Sequence, residues 1–131
     1  MADYLLDSNV LILHLREDPE VVALLTRWAT QYELYISVVT RTEILAGMRP
    51  REERPTINLL NSLTNLTVDR FIADRAGQLI YDYARRGFQV SFPDALIAAT
   101  ALENDLTLVT TNTQHFPMLE ERVRALFPSW E

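Results

Sequence analysis

The sequence predicts an α/β fold: one domain over residues 1–131, with a short, mainly parallel β-sheet flanked by α-helices. Three observations predict it. Short apolar runs alternate with segments of helical periodicity along the whole chain. Good helix-capping residues stand where the apolar runs stop. No internal repeat, low-complexity tract or linker divides the 131 residues, and 48% of them are hydrophobic, enough for one buried core.

Tyr4–Leu6 is a short apolar run that stops at Asp7, Ser8 and Asn9, and VLILHLR continues as a helix. Asp18 before Pro19 starts the next helix. ELYISVV is rich in β-formers and predicts the second strand, followed by a helix over TRTEILAGM. The segment MRPREERPT predicts an exposed turn with Arg49, Arg51 and Arg54 in solvent, before a helix over PTINLLNSL. Leu66–Val68 predicts a short strand. Asp69 then caps a long helix whose Ile72, Ala76, Leu79, Ile80 and Tyr83 share one face. That helix stops at Arg85-Arg86-Gly87, cations followed by glycine. A helix with Asp94 at its start comes next, and Leu106–Thr111 predicts the final strand.

Composition excludes several chemistries. There is no cysteine, so disulfides, zinc–thiolate sites and thiol nucleophiles are out. There is no lysine; all twelve basic residues are arginine. Walker-type phosphate loops and Schiff-base catalysis both require lysine. Only His14 and His115 exist, and no G-x-S-x-G elbow surrounds a serine. The first residues carry no basic leader and no membrane-spanning run, which predicts a soluble, cytoplasmic protein with no membrane partner. A net charge of −6 argues against a partner held through a nucleic-acid backbone alone. It leaves room for a nucleic-acid enzyme whose acids are neutralised by divalent ions.

Carboxylates are the catalytic groups that remain. Asp7 ends the first strand, Glu43 is expected in the first turn after the second strand, and Asp94 opens the late helix. Thr110, Thr111 and Asn112 end the last predicted strand. In a parallel α/β sheet all of these can face one edge, where ligands gather at the carboxyl ends of strands. Each acid alone also reads as a helix cap: Asp7 directly, Thr40-x-x-Glu43 as a capping box, and Ser91-x-x-Asp94 as a related pattern. The coincidence of all three at strand-to-helix junctions favours a shared site. Mg²⁺ or Mn²⁺ suits such a set of oxygen donors.

These residues resemble the motifs of PIN-domain ribonucleases, most closely the VapC-type toxins of bacterial toxin–antitoxin pairs. YLLDSNVLI resembles the opening motif with Asp7, Ser8 and Asn9, and SVVTRTEILAG the second with Glu43. FPDALIAATAL is similar to the third with Asp94, and LTLVTTNTQHF to the last. The resemblance covers nearly the whole chain in order. It implies a PIN-like fold and metal-dependent endonucleolytic cleavage of RNA. Asp7, Glu43 and Asp94 would be metal ligands and catalytic, and Ser8, Asn9, Thr111 and Asn112 weaker or supporting ligands. It further implies a homodimer and a VapB-type antitoxin. That partner is expected to send a basic side chain into the acids and lay an apolar segment on the first helices.

One departure stands out. Asn112 occupies the position nearest to a fourth acid of many relatives, and His115 stands where a further acid often occurs. Asn112 offers an oxygen without charge, so a second ion is expected to bind more weakly. Candidate RNA contacts are Arg41, Arg49, Arg85, Arg86 and His115, whose alternative is a solvated surface. Other readings stay open: a housekeeping RNA-processing PIN nuclease, and a non-catalytic module of the same fold. Aspartyl-nucleophile phosphatases fit poorly, because Asn9 replaces their second acid and their lysine is missing.

Overall fold

In the computed structural model, which describes residues 3–126, five strands form one sheet in the order β3-β2-β1-β4-β5. They are β1 (Tyr4–Leu6), β2 (Leu34–Ser37), β3 (Thr64–Leu66), β4 (Thr107–Thr110) and β5 (Val123–Ala125). Every pairing is parallel. The helices are α1 (Ser8–Leu15), α2 (Pro19–Ala29), α3 (Val38–Gly47), α4 (Glu53–Ser62), α5 (Arg70–Ala84) and α6 (Phe92–Glu103). The ends of the expected domain, residues 1–2 and 127–131, lie outside the described residues.

Alternation along β1 explains the two cores. Tyr4 and Leu6 point to one face, packing with Val10 and Leu11 of α1, Leu24 and Trp28 of α2, and Leu60 of α4. Leu5 points to the other, packing with Ile72 and Ala76 of α5 and the alanines of α6. The predicted face of α5 is the buried one, since Leu79, Ile80 and Tyr83 also pack there. Ala95, Ala98, Ala99 and Ala101 are all buried, so α6 approaches its neighbours closely through small side chains. Gly87, at φ 83°, turns the chain out of α5 in the left-handed conformation that glycine tolerates.

Several boundaries differ from the sequence expectation. The second strand stops at Ser37, whose hydroxyl accepts from the Val39 N–H at 3.0 Å and starts α3. Val38 and Val39 are therefore helical despite their β-propensity, and Glu43 lies in the second turn. The expected Thr40–Glu43 capping box does not form. The Thr40 hydroxyl is buried without a hydrogen-bond partner among the described residues. The third strand is Thr64–Leu66 rather than Leu66–Val68, because its register sets Thr64 opposite Tyr35 and Leu66 opposite Ser37. The Pro50–Glu52 segment forms a 3₁₀ turn, and α4 already begins at Glu53, so Arg54 is helical although solvated as expected. Leu106–Thr111 is not the last strand: β5 pairs beyond it at the sheet edge.

Candidate active site

The strand order reverses its direction of growth at β1. From β1 the chain builds outward through β2 to β3, then crosses to build β4 and β5 on the other side. The carboxyl ends of β1 and β4 therefore flank a topological switch point, the usual ligand crevice of such sheets. Asp7 follows β1 directly, and Thr110 is the last residue of β4.

Asp7 is buried and heavily bonded. It caps α1 by accepting from the Ser8 N–H at 2.9 Å through Oδ1. Its Oδ2 accepts from the Thr110 hydroxyl at 2.8 Å and from the Asn9 amide at 3.3 Å. The Thr110 oxygen also accepts from Asn9 Nδ2 at 3.2 Å and from the Asn112 N–H at 3.1 Å. One donor and two acceptors exhaust what a hydroxyl offers. Asn9 completes the loop, its Oδ1 accepting from the Thr111 N–H at 3.1 Å. The β1 and β4 ends are thus stitched through side chains where the ladder stops.

Burial pushes the Asp7 carboxyl above its usual range, with the charge of Asp94 adding to it, while the bonds from Thr110, Ser8 and Asn9 oppose. Glu43 keeps more solvent exposure, and partial desolvation raises its pKa too. The charges of Asp7 and Asp94 raise it further, and a bond from the Ser8 side chain lowers it. Glu43 therefore carries the charges of Asp7 and Asp94 in its titration, and Asp7 carries that of Asp94. This is the electrostatic signature of one acidic site assembled from β1, α3 and α6.

Asp94 enters from α6. Its N–H donates to the Ser91 hydroxyl at 3.2 Å, and Ser91 is the N-cap. The Ser91-x-x-Asp94 pattern thus forms with Ser91 as the cap, and Asp94 lies in the first turn rather than capping the helix itself. The Asp94 side chain is 26% exposed, with Oδ2 3.5 Å from His115 Nδ1.

The remaining expected residues separate. Thr111 is exposed, and the buried threonine on Asp7 is its neighbour Thr110. Strand alternation distinguishes the two once the end of β4 is known, but that register is not written in a T-T pair. Asn112 contributes its backbone N–H to the Thr110 hydroxyl. Arg41 is engaged with Asn65 and Asn61, each at 3.0 Å. Arg49 is exposed on a cleft of about 330 Å³ that reaches Glu43 and is lined by Ile12, Leu15 and Met48. Arg85 and Arg86 lie over the rings of Tyr81 and Tyr83 at the carboxyl end of α5. His14 is a packed residue: its Nδ1 is buried without a partner among the described residues, and desolvation lowers its pKa.

The donors are all oxygens, and two acids are held toward protonation by burial and by the charge of neighbouring acids, which a divalent cation would relieve. Among the described residues no three acidic or histidine side chains are close-set enough to enclose an ion directly. An ion here would keep part of its water shell, as Mg²⁺ does by preference.

A fold and acid site of this kind define a class, and residues 4–120 match the family model of the PIN domain. The chain belongs to the PIN domain family. It is 41% identical over 117 residues to Ribonuclease VapC10 of Mycobacterium tuberculosis, covering 89% of this chain and 88% of that protein. It is 31% identical to the tRNA(fMet)-specific endonuclease VapC of Shigella flexneri, over 96% of each. Among solved structures, it is similar to DNA-bound VapBC from Salmonella typhimurium, with a TM-score of 0.84, 26% identity and coverage of 97% and 100%. A toxin–antitoxin complex from Klebsiella pneumoniae gives a TM-score of 0.80 and 28% identity, over 95% and 98%.

Proposed function

We propose that the chain is the toxin of a toxin–antitoxin pair, an endoribonuclease that hydrolyses RNA phosphodiester bonds with the help of Mg²⁺ or Mn²⁺. The observation that carries the reading is the convergence of Asp7, Glu43 and Asp94 at the carboxyl edge of the sheet, where the charge of Asp94 reaches both other acids and that of Asp7 reaches Glu43. Nucleases named VapC that match this chain over nearly its full length support it.

Asp7, Asp94 and Glu43 would hold the ion, in part through its retained water shell. Bound there, it would lower the pKa of a water and steady negative charge on a phosphoryl oxygen. The chain's own residues prepare the place. Thr110 and Asn9 fix the Asp7 carboxyl in one orientation, and the Ser8 side chain bonds Glu43. His115, beside Asp94, is placed to touch the RNA. Asn112 supplies no charge, so a second ion binds more weakly than the first. Arg49, Arg85 and Arg86 are available for phosphates; Arg41, bound to two asparagines, is less so.

The partner is a VapB-type antitoxin, as in the VapBC complexes the chain resembles. Its apolar segment fits the cleft between α1, α3 and α4, which leads to Glu43, and its basic side chain would meet the acids. The active toxin is a homodimer.

The test is RNA cleavage by the purified chain in Mg²⁺ or Mn²⁺ and in chelator, beside Asp94→Asn. Ser91 caps α6 through the position-94 N–H, which the substitution retains, so the fold survives. Metal-dependent cleavage lost in Asp94→Asn is the expected result. Equal cleavage by both proteins refutes the assigned site.

A further inference from the structure

Helices α5 and α6 form an antiparallel pair. Arg75 Nη1 meets Glu103 Oε2 at 2.6 Å, tying the second turn of α5 to the last residue of α6. Counting along both helices at about 1.5 Å per residue brings Arg85 roughly level with Pro93. The carboxyl end of α5 thus lies beside the turn of α6 that carries Asp94.

Three features gather there. Phe92 is 73% exposed, the most exposed large apolar side chain among the described residues, and it stands two positions before Asp94. Ser91 caps the turn and Pro93 fixes its backbone, so the ring is presented from a rigid base. Arg85 lies 5.4 Å from the centroid of Tyr81 and bonds its hydroxyl at 3.0 Å, and Arg86 lies 4.5 Å from the centroid of Tyr83. Among the described residues neither arginine forms an ion pair, so two cations held on tyrosine rings fall, by that count, near the turn that carries the exposed Phe92 in an acidic protein.

We propose that Phe92 is a stacking platform for an unpaired base next to the phosphate cleaved at Asp94, with Arg85 and Arg86 on flanking phosphates. The proposal rests on the ribonuclease reading and deepens it, by naming Phe92 as the side chain that positions a base beside the cleaved phosphate. Aromatic faces take bases that are splayed out of a stack, and duplex RNA keeps those faces covered. Arg85, Arg86, Gln89 and Ser91, close to Phe92 along the chain, are all exposed, a polar and cationic setting that matches a polyanion better than the continuous apolar core of a subunit interface.

The test measures binding, independently of cleavage. A labelled single-stranded RNA dodecamer of mixed sequence is titrated in Ca²⁺ with wild type, Phe92→Ala, Phe92→Leu and Phe92→Trp. Alanine and leucine should each weaken binding by about tenfold or more, and tryptophan should retain it. The same RNA as a duplex should show no dependence on position 92. Wild-type protein that binds no single strand, an alanine variant equal to wild type, or leucine equal to wild type overturns the proposal. So does weakening that accompanies loss of a dimer in sedimentation and disappears where the dimer re-forms, which would assign Phe92 to a second copy of the chain. A wild type that binds RNA through Phe92 yet cleaves none in Mg²⁺ or Mn²⁺ would count against the nuclease reading alone.

Discussion

Asp7 and Glu43 belong to one acidic site but are held in opposite ways. Asp7 is buried between two strand ends and accepts from three donors on three residues, one of them 103 positions away in sequence. Glu43 sits in the second turn of α3, more exposed, with the Ser8 side chain as its hydrogen-bond donor. Both carboxyls are pushed up, first by desolvation and then by their neighbours' charges. The difference separates two jobs. On the proposed reading Asp7 would be a fixed anchor whose geometry the sheet dictates, whereas Glu43 would be an adjustable ligand constrained first by desolvation and then by its neighbours' charges. Three substitutions test that division.

The largest effect is expected from Asp7→Asn. Asparagine caps helices well, so α1 should persist. The site loses its best-ordered charge. In addition, both Asp7 oxygens accept, so an amide must set its NH₂ against the Ser8 N–H or against the Asn9 donor. Cleavage should fall by about a thousandfold or more, a loss of several kcal/mol of charge stabilisation. Circular dichroism should remain that of the folded protein. If Glu43→Gln proves more damaging to cleavage than Asp7→Asn, the anchor has been assigned to the wrong acid.

Thr110→Val sharpens the comparison by leaving both acids in place. Valine keeps the shape of threonine and removes one donated and two accepted hydrogen bonds. Metal affinity, followed by calorimetry with Mn²⁺, should drop by roughly 10- to 100-fold, the usual consequence of losing a residue that orients a ligand. Stability should fall by about 1–3 kcal/mol, because Asn9 and the Asn112 N–H lose a partner in a confined place. Thr111→Val, on the exposed neighbour, should change neither. Equal losses in the two variants would mean that β4 ends one residue later than Thr110.

That pair of threonines also shows how far the sequence could be read. The acids were legible because each sits at a junction that local chemistry announces: an apolar run broken by Asp7, and Ser91-Phe92-Pro93 before Asp94. The parallel sheet followed from alternation alone. What stayed hidden depended on register and on tertiary choice. Thr110 and Thr111 are chemically identical, and only the pairing of β4 with β1 sends the first inward. Ser37 took the cap of α3 by accepting from the Val39 N–H, and Val39 and Ile44 pack in opposite cores from within the helix, despite the strand preference of two valines. β5 is three residues, Val-Arg-Ala, too short to show a period, and it exists because the edge of β4 offers it hydrogen bonds. Phe92 went unremarked because the same letter inside a helical segment usually means core.

The smallest effect, and the one that isolates charge, is expected for Glu43→Gln without metal. The folded-state pKa of Glu43 lies above its ordinary value of 4.5. Folding therefore takes up a proton there, and stability falls as pH rises from the ordinary value through the folded one. Below that window the group is protonated in both states and contributes nothing. Above it the ionised glutamate opposes folding. In chelator at neutral pH, Glu43→Gln should melt slightly higher than wild type, and the gap should close as pH falls toward 4. Mg²⁺ should reverse the order, because a cation rewards the charge that the apo protein tolerates poorly. The measurement is a set of thermal melts at several pH values, with and without Mg²⁺. A variant that melts lower than wild type in chelator at every pH would show that Glu43 is held by its bond to Ser8 more than it is strained by Asp7 and Asp94, and the line drawn between anchor and adjustable ligand would have to be erased.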